Sequence, residues 1–427
     1  MENDWQIKRI TDIAAKEPNS IAMGPFGSNI KTENFVSSGV PVIRGVNLNS
    51  DRFNDSGFVY LTEEKADKLY ASNAFPGDLV FTHRGTLGQV GIIPLRARYD
   101  RYVVSQSQMK LRCDKNKVEP LFLFYFFRSP QGQYELLSNT STTGVPAISR
   151  PLTTLKSIKI LLPPILEQRA IAHVLGSLDD KIELNRKMNQ TLEAMARAIF
   201  KSWFVDFDPV RAKAEGRETG LPDEIAKLFP DGIEQTEMGE VPRGWKVGTL
   251  SDVANVTSGK RPQERSKEKK DDFKIPLYGG GGIMGYVKET MISEPFLLTG
   301  RVGTLGKIFL IREECWPSDN TLLIFPQNKQ FLEYLFFILL QIDFNSLNRG
   351  STQPLVTQTD LKNQKILIPN KIILAIFWQN VSLMFKKIDY NRIESDALSL
   401  IRETLLPKLI SGELRVPDAE KLVEEIA

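Results

Sequence analysis

Histidine and cysteine are almost missing from this 427-residue sequence, with two of each. Cys113 and Cys315 lie far apart and fall into no metal-ligand spacing, and His83 and His173 cannot build a metal site by themselves, so no metal centre is expected. So few thiols cannot form a disulfide framework, which points to the reducing cytoplasm. No stretch of about 18 uncharged apolar residues occurs, which argues against a membrane-spanning helix. The opening MENDWQIKRI is too polar for a signal peptide. A charge excess is lacking too: 55 Lys and Arg face 52 Asp and Glu, for a net +3, so any surface for nucleic acid must be local. Two catalytic signatures do not appear. There is no G-x-x-x-x-G-K-[ST] loop to cradle phosphates. Nor is there an Asn/Asp-Pro-Pro-aromatic loop to hold an amine for methyl transfer; the one Pro-Pro, Pro163-Pro164, is flanked by Leu and Ile. Gly279 to Gly282 has no Walker lysine after it and reads as a close-packed backbone turn rather than a cofactor loop. No catalytic residue and no cofactor is expected in this chain.

What is present is a globular composition, 41% hydrophobic and 25% charged, in a chain long enough for two or three domains. It is also duplicated. Trp5…Ile10-Thr11-Asp12-Ile13-Ala14 returns as Trp245…Leu250-Ser251-Asp252-Val253-Ala254. Arg84-Gly85-Thr86-Leu87-Gly88 is echoed by Gly303-Thr304-Leu305-Gly306 after Arg301. The aromatic run Leu123 to Phe127 matches Glu333 to Phe337, and Leu155 to Pro163 matches Leu361 to Pro369. Four echoes in one order give globule, helix, globule, helix. Short apolar runs such as Val40 to Ile43, set between Gly and Pro, read as strands and tight turns, with a helix over each aromatic run. The fold class expected is α+β: mixed globules without strand–helix alternation, arranged as a pseudo-two-fold internal repeat.

After Pro163-Pro164 the period becomes helical. Ile171, Leu178, Asn185, Leu192 and Ile199 form one heptad line, with Leu175, Ile182, Asn189, Ala196 and Trp203 beside it. The second copy gives Phe377, Met384, Asn391, Leu398 and Leu405, with Val381, Ile388, Ser395, Arg402 and Leu409. Asn185 and Asn391 take the same seam position and are expected to pair and fix the register, since a slipped Asn loses its partner. The helices are expected to pair antiparallel. At 1.5 Å per residue each spans about 55 Å, more than the ~35 Å turn of B-DNA. Ile199, Phe200, Trp203, Phe204 and Phe207 exceed what one seam needs; they either pack on the second globule or seat a partner.

Several stretches resemble the specificity subunits of Type I restriction-modification enzymes. In the first helix they are Leu162–Ala172 (LPPILEQRAIA), Leu178–Arg186 (LDDKIELNR) and Phe200–Lys213 (FKSWFVDFDPVRAK). In the linker they are Leu228-Phe229-Pro230 and Gly239–Trp245 (GEVPRGW). The globules add Gly24–Ser28 (GPFGS), Gly39–Gly45 (GVPVIRG) and Ile275–Tyr286 (IPLYGGGGIMGY). The resemblance implies a non-catalytic DNA-recognition subunit. It also implies partners: double-stranded DNA, two modification subunits using S-adenosylmethionine, and restriction subunits using ATP and Mg. The boundaries expected are 1–162 for the first target recognition domain, 163–207 for the first spacer helix and 208–241 for a linker. The second domain is placed at 242–369, its helix at 370–412 and a tail at 413–427.

Base and phosphate contacts need polar and basic side chains on groove-facing loops. In the first globule these are Ser28, Asn29, Lys31, Arg44, Arg84 and Thr86; in the second, Lys260, Arg261, Arg301, Thr304, Arg349, Ser351, Thr352 and Gln353. Arg96, Arg98 and Arg101 are either another contact set or a solvated surface. The loops differ between the globules, so an asymmetric target is expected. Two other readings stay open: a coiled-coil scaffold without DNA readout, and a stand-alone methyltransferase or nuclease.

Overall fold

The computed structural model describes residues 4–49, 52–141, 143–350 and 352–426, without the side chains of Ser28 and 422–426. The chain divides into two compact units. One combines residues up to Arg186 with those from Arg392 onward; the other is Lys187–Asn391.

The first unit is built on strand Leu79–Thr82, whose sequence LVFT is buried at every position. Antiparallel neighbours flank it in the order Ile21–Met23, Gln108–Leu111, Leu79–Thr82, Val90–Ile92. A second sheet runs Val59–Leu61, Val40–Ile43, Tyr102–Val104, Asn73–Ala74, and its central pair is parallel. Helix Pro120–Arg128, PLFLFYFFR, is apolar nearly all round and is therefore a core helix rather than an amphipathic surface one. Its proline sits in the first turn, where no N–H is needed. Phe127 meets Phe81 at 4.8 Å, nearly edge-on.

The second unit repeats the plan. Its four-stranded antiparallel sheet runs Ala254–Ser258, Thr321–Pro326, Phe296–Gly300, Ile308–Ile311, beside a three-stranded sheet holding the parallel pair Ile275–Gly279 and Trp316–Pro317. The registers correspond pair by pair. Gln6 faces Leu162 as Lys246 faces Ile368. Val42 faces Val103 as Leu277 faces Trp316, and Leu79 faces Leu111 as Leu297 faces Ile324. The segment after the first helix also joins this unit: Phe207, Val210 and Phe229 are in its core, and Ile233–Thr236 pairs with Gly239–Pro242 as a hairpin.

The long helices are Ile165–Phe204 and Lys371–Ser411, each divided between the units. In the first unit Ile171, Leu175, Leu178 and Ile182 are buried with Leu398, Leu405 and Leu409, on the two heptad lines. Asn185 donates to Glu394 Oε2 at 2.7 Å and to Ser395 Oγ at 3.3 Å. In the second unit Asn391 donates to Asn189 Oδ1 at 2.8 Å. Both contacts show antiparallel pairing within each unit. Antiparallel pairing of duplicated helices sets each Asn against the equivalent of position 189, which is Asn189 in one copy and Ser395 in the other.

Arg402, also on a heptad line, is buried because Asp179 receives it: Nη1 donates to Oδ1 at 2.5 Å, and Tyr125 donates to Oδ2 at 2.5 Å. Phe200, Trp203, Phe204 and Phe207 fill the second unit's core, with Ile199 half-buried against it. Of the two roles open to this patch, packing on the second globule is the one seen, and those four aromatic side chains are closed to a partner.

Candidate nucleic-acid interface

In the first unit a cleft of about 470 Å³ opens over the ends of both sheets. Its floor is the turn Ser105-Gln106-Ser107 between strands Tyr102–Val104 and Gln108–Leu111. This turn is braced on three sides: Ser105 N donates to Ile43 O at 2.9 Å, Gln108 N to Ser105 O at 2.9 Å, and His83 N to Ser107 O at 3.0 Å. His83 Nε2 also lies 3.1 Å from Gln106 O, and burial pushes its pKa down. The imidazole is thus a brace under the turn, not a phosphate ligand. Lys31, Arg44, Arg84 and Thr86 line the walls. Arg84 and Thr86 are exposed. Arg44 donates through Nη2 to Gly57 O at 3.1 Å, and Lys31 pairs with Glu33 at 3.5 Å. Gln108 is buried and Gln89 half-buried, linked through Thr82 at 3.2 and 2.8 Å.

The second unit carries the same frame. Its turn Ser318-Asp319-Asn320 is braced by Ser318 N to Tyr278 O at 2.8 Å, Thr321 N to Ser318 O at 3.1 Å and Arg301 N to Asn320 O at 2.8 Å. Over each turn the chain crosses at a glycine. A Cβ on Gly24 would lie 1.9 Å from Ser105 O, and one on Gly259 2.2 Å from Ser318 O, so no other residue fits. Here a cleft of about 390 Å³ is lined by Arg261, Gln263, Arg265, Leu277, Met284 and the turn. Leu277 and Ser318 stand where Val42 and Ser105 stand in the first unit. The remaining lining differs.

Four of the residues singled out in the first globule therefore share one cleft; in the second, Arg261 alone does. Asn29 is exposed in the turn Gly27–Asn29, but does not line the cleft; the Ser28 side chain and Ser351 lie outside the described residues. Lys260 is held by its backbone, N to Pro317 O at 3.0 Å. Thr304, Thr352 and Gln353 are exposed on loops outside the cleft. Arg349 is ion-paired with Asp360, and Arg101 with Glu63 and Asp67. The backbone bonds also refine the repeat. Ile148 N donates to His83 O as Val356 N does to Arg301 O, and Gly85 N to Pro146 O as Gly303 N to Pro354 O. Arg301 is thus the counterpart of His83, and Val302 that of Arg84. Gly280 confirms the close-packed turn: its Cβ would lie 2.7 Å from Gly300 Cα. Sequence reasoning missed Gln106, Ser107, Gln263, Arg265, Asp319 and Asn320. The two turns share one serine, too little for an echo, and only the strand register could have aligned them.

A larger cleft of about 870 Å³ lies where the first long helix begins. Its buried Gln168 accepts from Glu119 N at 2.9 Å and donates to Pro163 O at 2.8 Å, a structural brace. Among the described residues no group of His, Cys, Asp and Glu is placed to hold a metal, and no helix is long and apolar enough to cross a membrane.

Fold and clefts together define a class: a duplicated α+β chain on two long antiparallel helices, with a cleft over the same braced turn in each copy. The family described as Type I restriction modification DNA specificity domain matches residues 2–194 and 242–388, and the chain belongs to it. It is 31% identical over 378 residues to the Type I restriction enzyme HindI specificity subunit of Haemophilus influenzae, covering 74% of this chain and 82% of that one. It is 27% identical to the MjaIX specificity subunit of Methanocaldococcus jannaschii, covering 97% and 94%. The crystal structure of a Type I S subunit from M. genitalium shares the fold, with a TM-score of 0.60, 18% identity and 96% of each chain covered.

Proposed function

We propose that each cleft faces double-stranded DNA and that the pair reads the two parts of one bipartite, asymmetric target. The supporting observation is the repetition of one braced turn under one cleft with unlike side chains. A frame kept for folding alone has no need of a cleft over the same turn twice over; a frame kept for reading two different sequences needs this combination. Arg84 and Lys31 in one cleft, and Arg261 and Arg265 in the other, supply the phosphate contacts that position a duplex, while the turns present groups suited to base edges. With net charge +3, binding rests on these local groups. The long helices act as the spacer between the two parts.

In this reading the chain works in the cytoplasm without a catalytic residue or cofactor of its own. Two modification subunits methylate adenine with S-adenosylmethionine, and restriction subunits supply ATP- and Mg-dependent cleavage. Mapping methylated adenines in DNA from cells expressing the chain with its modification subunits is expected to return one two-part, non-palindromic sequence. A palindromic site, or methyl transfer by the isolated chain, overturns the reading. Arg84→Ala is expected to weaken binding to all sequences alike and to lower the log–log salt slope by about 1.

A further inference from the structure

The turn in the second cleft carries a carboxylate where the first carries an amide. Asp319 is exposed and has no hydrogen-bond or ion-pair partner among the described residues, although Arg261 and Arg265 line the same cleft. Its backbone is fixed on both sides, by Ser318 N to Tyr278 O and by Arg301 N to Asn320 O. A lone carboxylate on a rigid turn in a cleft with two guanidinium groups is a poor phosphate neighbour and can only accept hydrogen bonds. The guanidinium groups draw the DNA backbone in and so bring base edges to the turn. Among major-groove edges only the exocyclic amino groups of cytosine and adenine donate; guanine N7 and O6 and thymine O4 accept.

We infer that Asp319 is a specificity-determining residue that accepts a hydrogen bond from the exocyclic amino group of one base in the part of the target read by the second unit. This rests on the reading that the clefts face DNA. Gln106 holds the equivalent place in the first unit and offers both a donor and an acceptor, so the same backbone position imposes a different choice there. The backbone of the turn is already braced; discrimination comes from repulsion of acceptor edges as much as from attraction of the amino group.

The test maps methylated positions across a genome, using the full chain assembled with its modification subunits, for the wild type, Asp319→Asn and Asp319→Gln. The side chain is exposed and touches no partner, so both variants keep the fold. Each is expected to lower discrimination at one base-pair position about five- to a hundred-fold, leaving the other part of the target and the spacer unchanged. Asp319→Glu, which keeps the carboxylate, retains the original base. A motif unchanged in both amide variants overturns the inference and leaves the bipartite reading standing. A wild-type complex whose methylation maps to no two-part sequence removes that reading and the inference with it.

Discussion

Lys110 is 2% exposed in the middle of the first unit's sheet, opposite Val80, with Nζ donating to Asn73 O. Burial pushes its pKa down from 10.5 to about 8. The folded chain then holds this proton less tightly than the unfolded chain does. The associated stability is fully present above pH 10.5 and is lost as pH falls through about 8, so at neutral pH a buried charge weighs against the fold. The second unit has Leu323 at the corresponding place, opposite Leu298. Lys110→Leu is therefore expected to stabilise the first unit at pH 7 by about 1–3 kcal/mol, the desolvation gain less one hydrogen bond. It should also abolish the wild type's rise in stability between pH 8 and 10. Urea melts at both pH values decide; a variant less stable at pH 7, or one with the wild-type pH slope, refutes the account. At this scale the sequence was legible where basic and hydroxyl side chains fall on expected loops, as with Lys31, Arg44, Arg84 and Thr86. Asp319 and Gln106 escaped because their turns share only one serine and no echo aligns them.

The long helices were legible as elements because a 3.5-residue repeat of apolar side chains survives in any one sequence. Their partners across the seam were not, since a polar residue on a heptad line does not say which side chain meets it. Arg402 shows the point. It is 6% exposed and answered by Asp179, which also receives Tyr125 and, at 3.3 Å, Arg52. Arg52 Nη2 further donates to Gly176 O at 2.6 Å, tying the loop beyond Arg44 to the helix. Asp179→Ala takes from buried Arg402 the carboxylate it pairs with, while Arg52 keeps Asp180 at 2.7 Å, and is expected to destabilise the first unit by about 3–5 kcal/mol. Asp179→Leu combined with Arg402→Leu, which removes the buried seam pair together, should recover much of that loss. Thermal unfolding of the single and double variants measures both, and a single variant as stable as the wild type defeats the argument.

At the scale of the whole chain, the duplication gives two cores whose parts are far apart in sequence. The first unit closes with the last part of the second helix: Leu398, Arg402, Leu405 and Leu409 are buried there, and Arg415 bonds Glu167, which also accepts from Trp5 Nε1 at 3.0 Å. The second unit is complete by Asn391, with Phe377, Val381 and Phe385 in its core. A chain that stops at Asn391 therefore loses packing from its beginning rather than its end. Burying a large aliphatic side chain stabilises by about 1.5–3 kcal/mol, so losing Leu398, Leu405 and Leu409 alone approaches the whole stability of an ordinary domain. In the shortened chain, amide hydrogen exchange is expected to accelerate by orders of magnitude in strand Leu79–Thr82 and to stay slow in strand Phe296–Gly300. Equal protection of the two strands would show that the first unit does not depend on the chain's far end.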